Sequence, residues 1–135
     1  MLFDKENQFS DNQAITASAP STNVIDMTGN LNEIAFATPM PLRIQVVEDF
    51  AKLTSLEIKV QTATDSEFTS PVTLATTGSI PVADLVKGYV APINFIPKGN
   101  KGYMRLYYAV TGDNATAGKI KAGIVAGNDN SYQDM

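Results

Sequence analysis

Tyr103-Met104-Arg105-Leu106-Tyr107-Tyr108-Ala109-Val110 decides the fold class of this chain. Met104, Leu106, Tyr108 and Val110 fall on one side of an extended backbone, and Tyr103, Arg105 and Tyr107 on the other, because successive strand side chains point to opposite faces. Thr111-Gly112-Asp113-Asn114-Ala115-Thr116-Ala117-Gly118 follows, then Lys119 to Ala126 with Ile120 and Ile124 on one face. Two alternating runs joined by a Gly-bounded polar segment predict a long hairpin.

The same period of two recurs upstream. Leu56, Ile58 and Val60 alternate with Glu57, Lys59 and Gln61, the cleanest half-buried strand in the sequence. Leu42, Ile44 and Val46 alternate with Arg43, Gln45 and Val47. Shorter candidates are Gln13 to Ala19, Asn23 to Asp26, and Val72 to Leu74. Tyr89 to Ile96 is another, where Pro92 favours an edge strand or a bulge. Pro81-Val82-Ala83-Asp84-Leu85-Val86 is the one helical candidate, a turn or two opened by Pro81 and ended at Gly88. The expected fold is therefore all-β, an antiparallel sandwich or barrel of about eight short strands.

Residues 1–12 are polar with isolated Phe3 and Phe9 and read as an N-terminal arm that docks on its own domain or a neighbour. Residues 13–126 form the β-domain, and 127–135 a polar C-terminal tail. At 135 residues the chain is one domain, and a hydrophobic fraction of 44% against 18% charged marks it as folded.

Composition narrows the function. There is no His, no Cys and no Trp, which removes the commonest general base, the nucleophilic thiol and the best transition-metal ligands. The expectation is a non-enzyme without cofactor or metal. Glu48-Asp49 is the one adjacent acid pair, and strand geometry sends the two side chains to opposite faces. Asp65-Ser66-Glu67 and Gly127-Asn128-Asp129-Asn130 are oxygen-rich, yet turn chemistry accounts for both more simply than calcium. Gly99-Asn100-Lys101-Gly102 lacks the phosphate-loop pattern. Ten basic against fourteen acidic residues, net −4, with no basic stripe, argue against a nucleic-acid partner. Neither a signal peptide nor a membrane span is expected. The sequon Asn114-Ala115-Thr116 reads as loop sequence.

Tyr103, Arg105 and Tyr107 are the strongest surface candidates, two rings around a guanidinium, a composition favoured at protein interfaces. With Phe3 and Phe9 they are the expected contact residues. A carbohydrate-binding sandwich, for example a host-surface adhesion module, is the alternative reading of the same face.

The run Met1-Leu2-Phe3-Asp4-Lys5, then Phe9-Ser10-Asp11, Gln13-Ala14-Ile15-Thr16-Ala17 and Ser21-Thr22-Asn23-Val24-Ile25-Asp26, resembles the capsid cement proteins of short-tailed bacteriophages of the Bordetella-phage type. So do Tyr103 to Tyr108 and Gly118 to Val125, while the stretch between Gly29 and Pro41 matches least. The resemblance implies a jelly-roll fold on the outer surface of an icosahedral virion. There such proteins bridge copies of a major capsid protein of the HK97-like fold, as homodimers, with a trimer as the other open oligomer.

Overall fold

The computed structural model describes residues 3–26, 41–97 and 101–125. Within them the chain is all-β, a single antiparallel sheet of six strands with no α-helix. β1 (Phe3–Ala14), β2 (Ala19–Pro20), β3 (Ile25–Asp26), β4 (Leu42–Ala63), β5 (Val72–Pro81) and β6 (Tyr103–Val125) follow in chain order. The sheet runs β1-β6-β4-β5, with β2 and β3 also on β6.

Two strands of 22 and 23 residues organise everything else. β4 and β6 pair antiparallel from Leu42 opposite Ile124 to Ala63 opposite Tyr103. The pairs Leu42–Ile124, Ile44–Ala122, Val46–Ile120, Leu56–Val110, Ile58–Tyr108 and Val60–Leu106 all lie on one face. Nearly all of these side chains are fully buried and belong to one hydrophobic cluster. Each such aliphatic burial contributes about 1.5–3 kcal/mol. The opposite face carries Arg43, Gln45, Glu57, Lys59 and Gln61 from β4, facing Gly123, Lys121, Ala109, Tyr107 and Arg105 from β6.

The ribbon bends in the middle. Register shifts concentrate between Val46 and Ser55 on β4, opposite residues 111–120 of β6, with β4 bulging on either side of a longer excursion of β6 between Gly112 and Ala117. Bulges of this kind raise local twist and let a long strand turn. The hairpin expected between Val110 and Lys119 is thus corrected: residues 111–118 continue β6, and its two halves pair with β4, not with each other. The glycines that suggested a loop serve a close approach. Gly112 has φ +87° and Gly118 φ +136°, and a Cβ on either would overlap Thr54 or the Phe50 ring respectively. Ala115, inside the sequon, is buried and donates its N–H to the Thr16 carbonyl at 2.8 Å.

Residues 3–26 close the remaining edge of β6. β1 pairs with its C-terminal end, from Phe3 opposite Val125 to Ala14 opposite Lys119. Ile15 N–H then bonds to Gly118 O (3.1 Å), and Ser18 Oγ accepts Val110 N–H (2.9 Å). β2 pairs with Tyr107 and Tyr108, Ser21 with Leu106, and β3 with Tyr103 and Met104. The expected arm, read as docking on its own domain or a neighbour, is from Phe3 onward a strand of its own sheet. Phe9 is 0% exposed, inside the core, so the intermolecular contact expected of it is corrected. A phenyl ring that size is buried for its own domain's stability. The side chain of Phe3 and the tail 127–135 lie outside the described residues.

One buried polar network locks β1 to the centre of β6. Ser10 Oγ donates to Gln13 Oε1 (2.6 Å), which also accepts Thr22 N–H (2.9 Å). The Tyr108 hydroxyl lies 2.7 Å from Ser10 Oγ. Since the serine proton is already directed at an acceptor, Tyr108 donates. Tyr108 is fully buried, and that burial raises its phenol pKa well above the ordinary 10.0, against the opposing pull of the Ser10 bond.

β5 covers β4 from Ser55 to Thr62. Pro81 leads into a single 3-10 turn, Val82–Asp84, shorter than the helix expected. The chain then runs beside the other half of β4. Phe50 N–H bonds to Leu85 O, Val46 N–H to Tyr89 O, Ala91 N–H to Ile44 O and Leu42 N–H to Asn94 O, all at 2.8–2.9 Å. Bridges at Val90 and Phe95 are the remnant of the strand expected over 89–96, interrupted where Pro92 supplies no donor.

Candidate surface site

Tyr103, Arg105 and Tyr107 stand side by side on the face of β6 that points away from the core, each half-buried. Their placement follows from alternation: Met104, Leu106 and Tyr108 are pulled inward at 0% exposed, so the odd positions must face outward. Across β4 they meet Ala63, Gln61 and Lys59 in register. On their other side Asp26 pairs with Tyr103 and Pro20 with Tyr107.

The guanidinium is held on three sides. Its Nε donates to Gln61 Oε1 at 3.0 Å. Its central carbon lies 4.3 Å from the centre of the Phe68 ring and 5.8 Å from that of Tyr107, both within cation–π range. Burial pulls the Arg105 pKa below its ordinary value, opposed by the nearby Tyr107 phenol. The guanidinium stays charged at any physiological pH.

The expected sandwich of Arg105 between Tyr103 and Tyr107 is thus half right. Tyr107 flanks it, but the closer ring is that of Phe68, which sequence reasoning passed over. Phe68 lies in the polar stretch Asp65-Ser66-Glu67-Phe68-Thr69, where a lone aromatic among turn formers was the available signal. Its backbone is left-handed at φ +55°, and Asp65 fixes the turn: its carboxylate accepts Thr69 N–H (3.3 Å) and Thr69 Oγ1 (2.8 Å). The ring is 5% exposed. Left-handed backbone on a bulky residue costs about 1–3 kcal/mol and persists only where its surroundings enforce it.

The acids are engaged elsewhere. Glu48 Oε1 accepts Gly118 N–H (3.0 Å) and Asp49 Oδ1 accepts Lys87 N–H (2.7 Å), so neighbouring carboxylates fasten two different segments. No group of three His, Cys, Asp or Glu side chains converges among the described residues.

No curated protein matches the chain. The family model named Bbp16 matches residues 9–124, from the first core strand almost to the end of β6 and well over half of the chain. The chain belongs to the Bbp16 family.

Proposed function

We propose that this chain is a phage capsid cement protein, a non-catalytic β-domain that binds the outer surface of an icosahedral head and bridges subunits of a major capsid protein of HK97-like fold. The observation that carries the reading is the family match over residues 9–124, whose name points to a Bordetella phage protein. The architecture supports it. Both halves of the β4/β6 ribbon send the same face into one core, and a sheet buried on one face throughout must fold over on itself. The proposed closure is a two-layer, jelly-roll-like sandwich.

Such a body has the properties cementing needs. It is stiff, it carries a mixed aromatic–Arg face, and it can act in many copies. As a homodimer spanning two capsomers, each copy would raise the effective concentration of its twin at the next site. Binding only the assembled shell stabilises that shell by mass action. Tyr103, Arg105 and Tyr107 are the proposed contacts, to the shell or across the dimer. The carbohydrate-binding alternative uses the same rings, but Tyr107 already lies against a guanidinium, which makes it a poorer sugar platform.

The test is co-sedimentation of the purified chain with mature heads of its own phage that lack it. Saturation at a fixed ratio per capsid subunit, with a raised melting temperature of the heads, is the expected result. Absence of binding at micromolar concentration refutes the reading, and specific micromolar retention on a glycan array would then favour the alternative.

A further inference from the structure

Arg105, like Arg43 on Gln45 (3.2 Å), bonds a glutamine through Nε, and it also has two rings against its guanidinium. The ion pairs Lys119–Glu48 (4.0 Å) and Lys121–Asp11 (3.7 Å) involve an exposed and a half-buried lysine. Arg105 forms no ion pair with any described residue, although it is partly withdrawn from water. Its Nε is committed to Gln61, and the Phe68 and Tyr107 rings flank its central carbon. The terminal nitrogens Nη1 and Nη2 have no protein acceptor among the described residues. A strained Phe68 backbone, held by the Asp65 turn, keeps the ring beneath the guanidinium. Left-handed backbone that seats a buried ring against a single charged group on the surface points to a binding role.

We propose that Arg105 is a carboxylate anchor, taking one Asp or Glu side chain of the surface on which the chain docks, bidentate on Nη1 and Nη2. The inference rests on the docking function proposed above and specifies its chemistry. A planar fork already held by Gln61 and flanked by two rings matches the two oxygens of a carboxylate, and less rotamer freedom remains to be lost on binding. Partial burial strengthens the attraction relative to an exposed pair. One guanidinium on a chain of net charge −4 suits a single carboxylate, whereas a polyanion such as nucleic acid needs a row of cations.

Two experiments separate this inference from the docking reading. In the first, the full chain carrying isotope-labelled arginine is titrated with N-acetylglutamate amide, with inorganic phosphate and with sodium chloride. The guanidinium resonances of Arg105 and Arg43 are followed by NMR. A saturable shift confined to Arg105, and stronger with the carboxylate than with phosphate, is expected. Equal unsaturating drift of both arginines, or a preference for phosphate, overturns the anchor.

In the second, Arg105→Lys and Arg105→Gln are compared with the wild type for binding to heads that lack the protein, after melting curves establish that both variants fold. Loss of roughly tenfold to a hundredfold in affinity is expected for both. The lysine variant is the sharper probe, because it keeps the charge and loses the fork. Wild-type binding with an undiminished Arg105→Lys variant overturns the anchor and leaves docking intact. If the wild type itself fails to bind, docking falls, and the titration alone decides whether Arg105 takes a carboxylate.

Discussion

Replacing Gly118 by alanine places a methyl group where β6 crosses the Phe50 ring. The ideal Cβ would overlap three atoms of that ring, and Phe50 is 6% exposed, with little room to yield. Two costs add. The backbone stands at φ +136°, which an L-residue adopts at about 1–3 kcal/mol. Overpacking a filled core site costs about 1–3 kcal/mol more. Gly118→Ala is therefore expected to destabilise by about 2–6 kcal/mol, a large share of a domain's usual ~5–15 kcal/mol. Gly78→Ala is the matched control: φ is +71° and nothing lies within 4 Å of the new Cβ, so only the backbone cost of about 1–2 kcal/mol applies.

Urea denaturation followed by circular dichroism gives both values. The double variant Phe50→Ala/Gly118→Ala closes a cycle, in which removing the ring should recover the packing part of the Gly118 penalty. If Gly118→Ala costs no more than Gly78→Ala, or if the cycle shows no coupling, then β6 does not pass against Phe50. Residues 111–118 would be a loop after all, and the continuous strand would be wrong.

Phe9→Ala empties a fully buried ring site and should cost about 3–5 kcal/mol in the same urea assay; a free arm would give no change. Tyr108→Phe removes the donor to Ser10 Oγ (2.7 Å), with an expected loss of about 0.5–1.5 kcal/mol at neutral pH. The phenol pKa is raised in the folded state above the ordinary 10.0, so its contribution to stability is complete below pH 10. It is lost as pH climbs from there toward the folded value, because only the unfolded chain releases that proton. Alkaline denaturation should thus be shallower in Tyr108→Phe, and tyrosinate absorbance of the wild type should show one phenol that ionises only on unfolding. Lys119→Ala, at an exposed 4.0 Å pair, should change stability by less than about 1 kcal/mol.

Alternation carried most of what the sequence revealed. Leu42-Ile44-Val46, Leu56-Ile58-Val60 and Met104-Leu106-Tyr108 are all core faces, as their period of two requires. Periodicity failed where the ribbon bends. Ala51 to Thr54 and Thr111 to Gly118 have lost alternation because bulges shift the register there, and a bulged strand and a turn share the same Gly, Asp and Asn composition. β2 and β3 are two residues each, too short for any period, and exist because β6 offers them an edge. At the site, Tyr103, Arg105 and Tyr107 were legible from one strand. Phe68 was not, because it meets Arg105 across a sequence separation of 37 positions through tertiary packing alone.

The position of the site within the sheet bears on how it can act. β6 is paired along both edges, with β4 on one side and with β1, the 15–18 segment, β2 and β3 on the other. β4 is likewise flanked by β5 and by the 85–94 segment. Neither strand retains a long free edge for adding another chain's strand, so a partner meets β6 through its outward face. A face carried on doubly paired strands has little backbone entropy left to lose on association. Gln61 and the Phe68 ring fix the Arg105 side chain as well. On the proposed docking function, mutations that loosen this support without touching the partner, Phe68→Gly among them, should slow association or weaken binding while Arg105 itself remains. An Arg105 left in place but freed of its rings would separate the value of the charge from the value of its orientation.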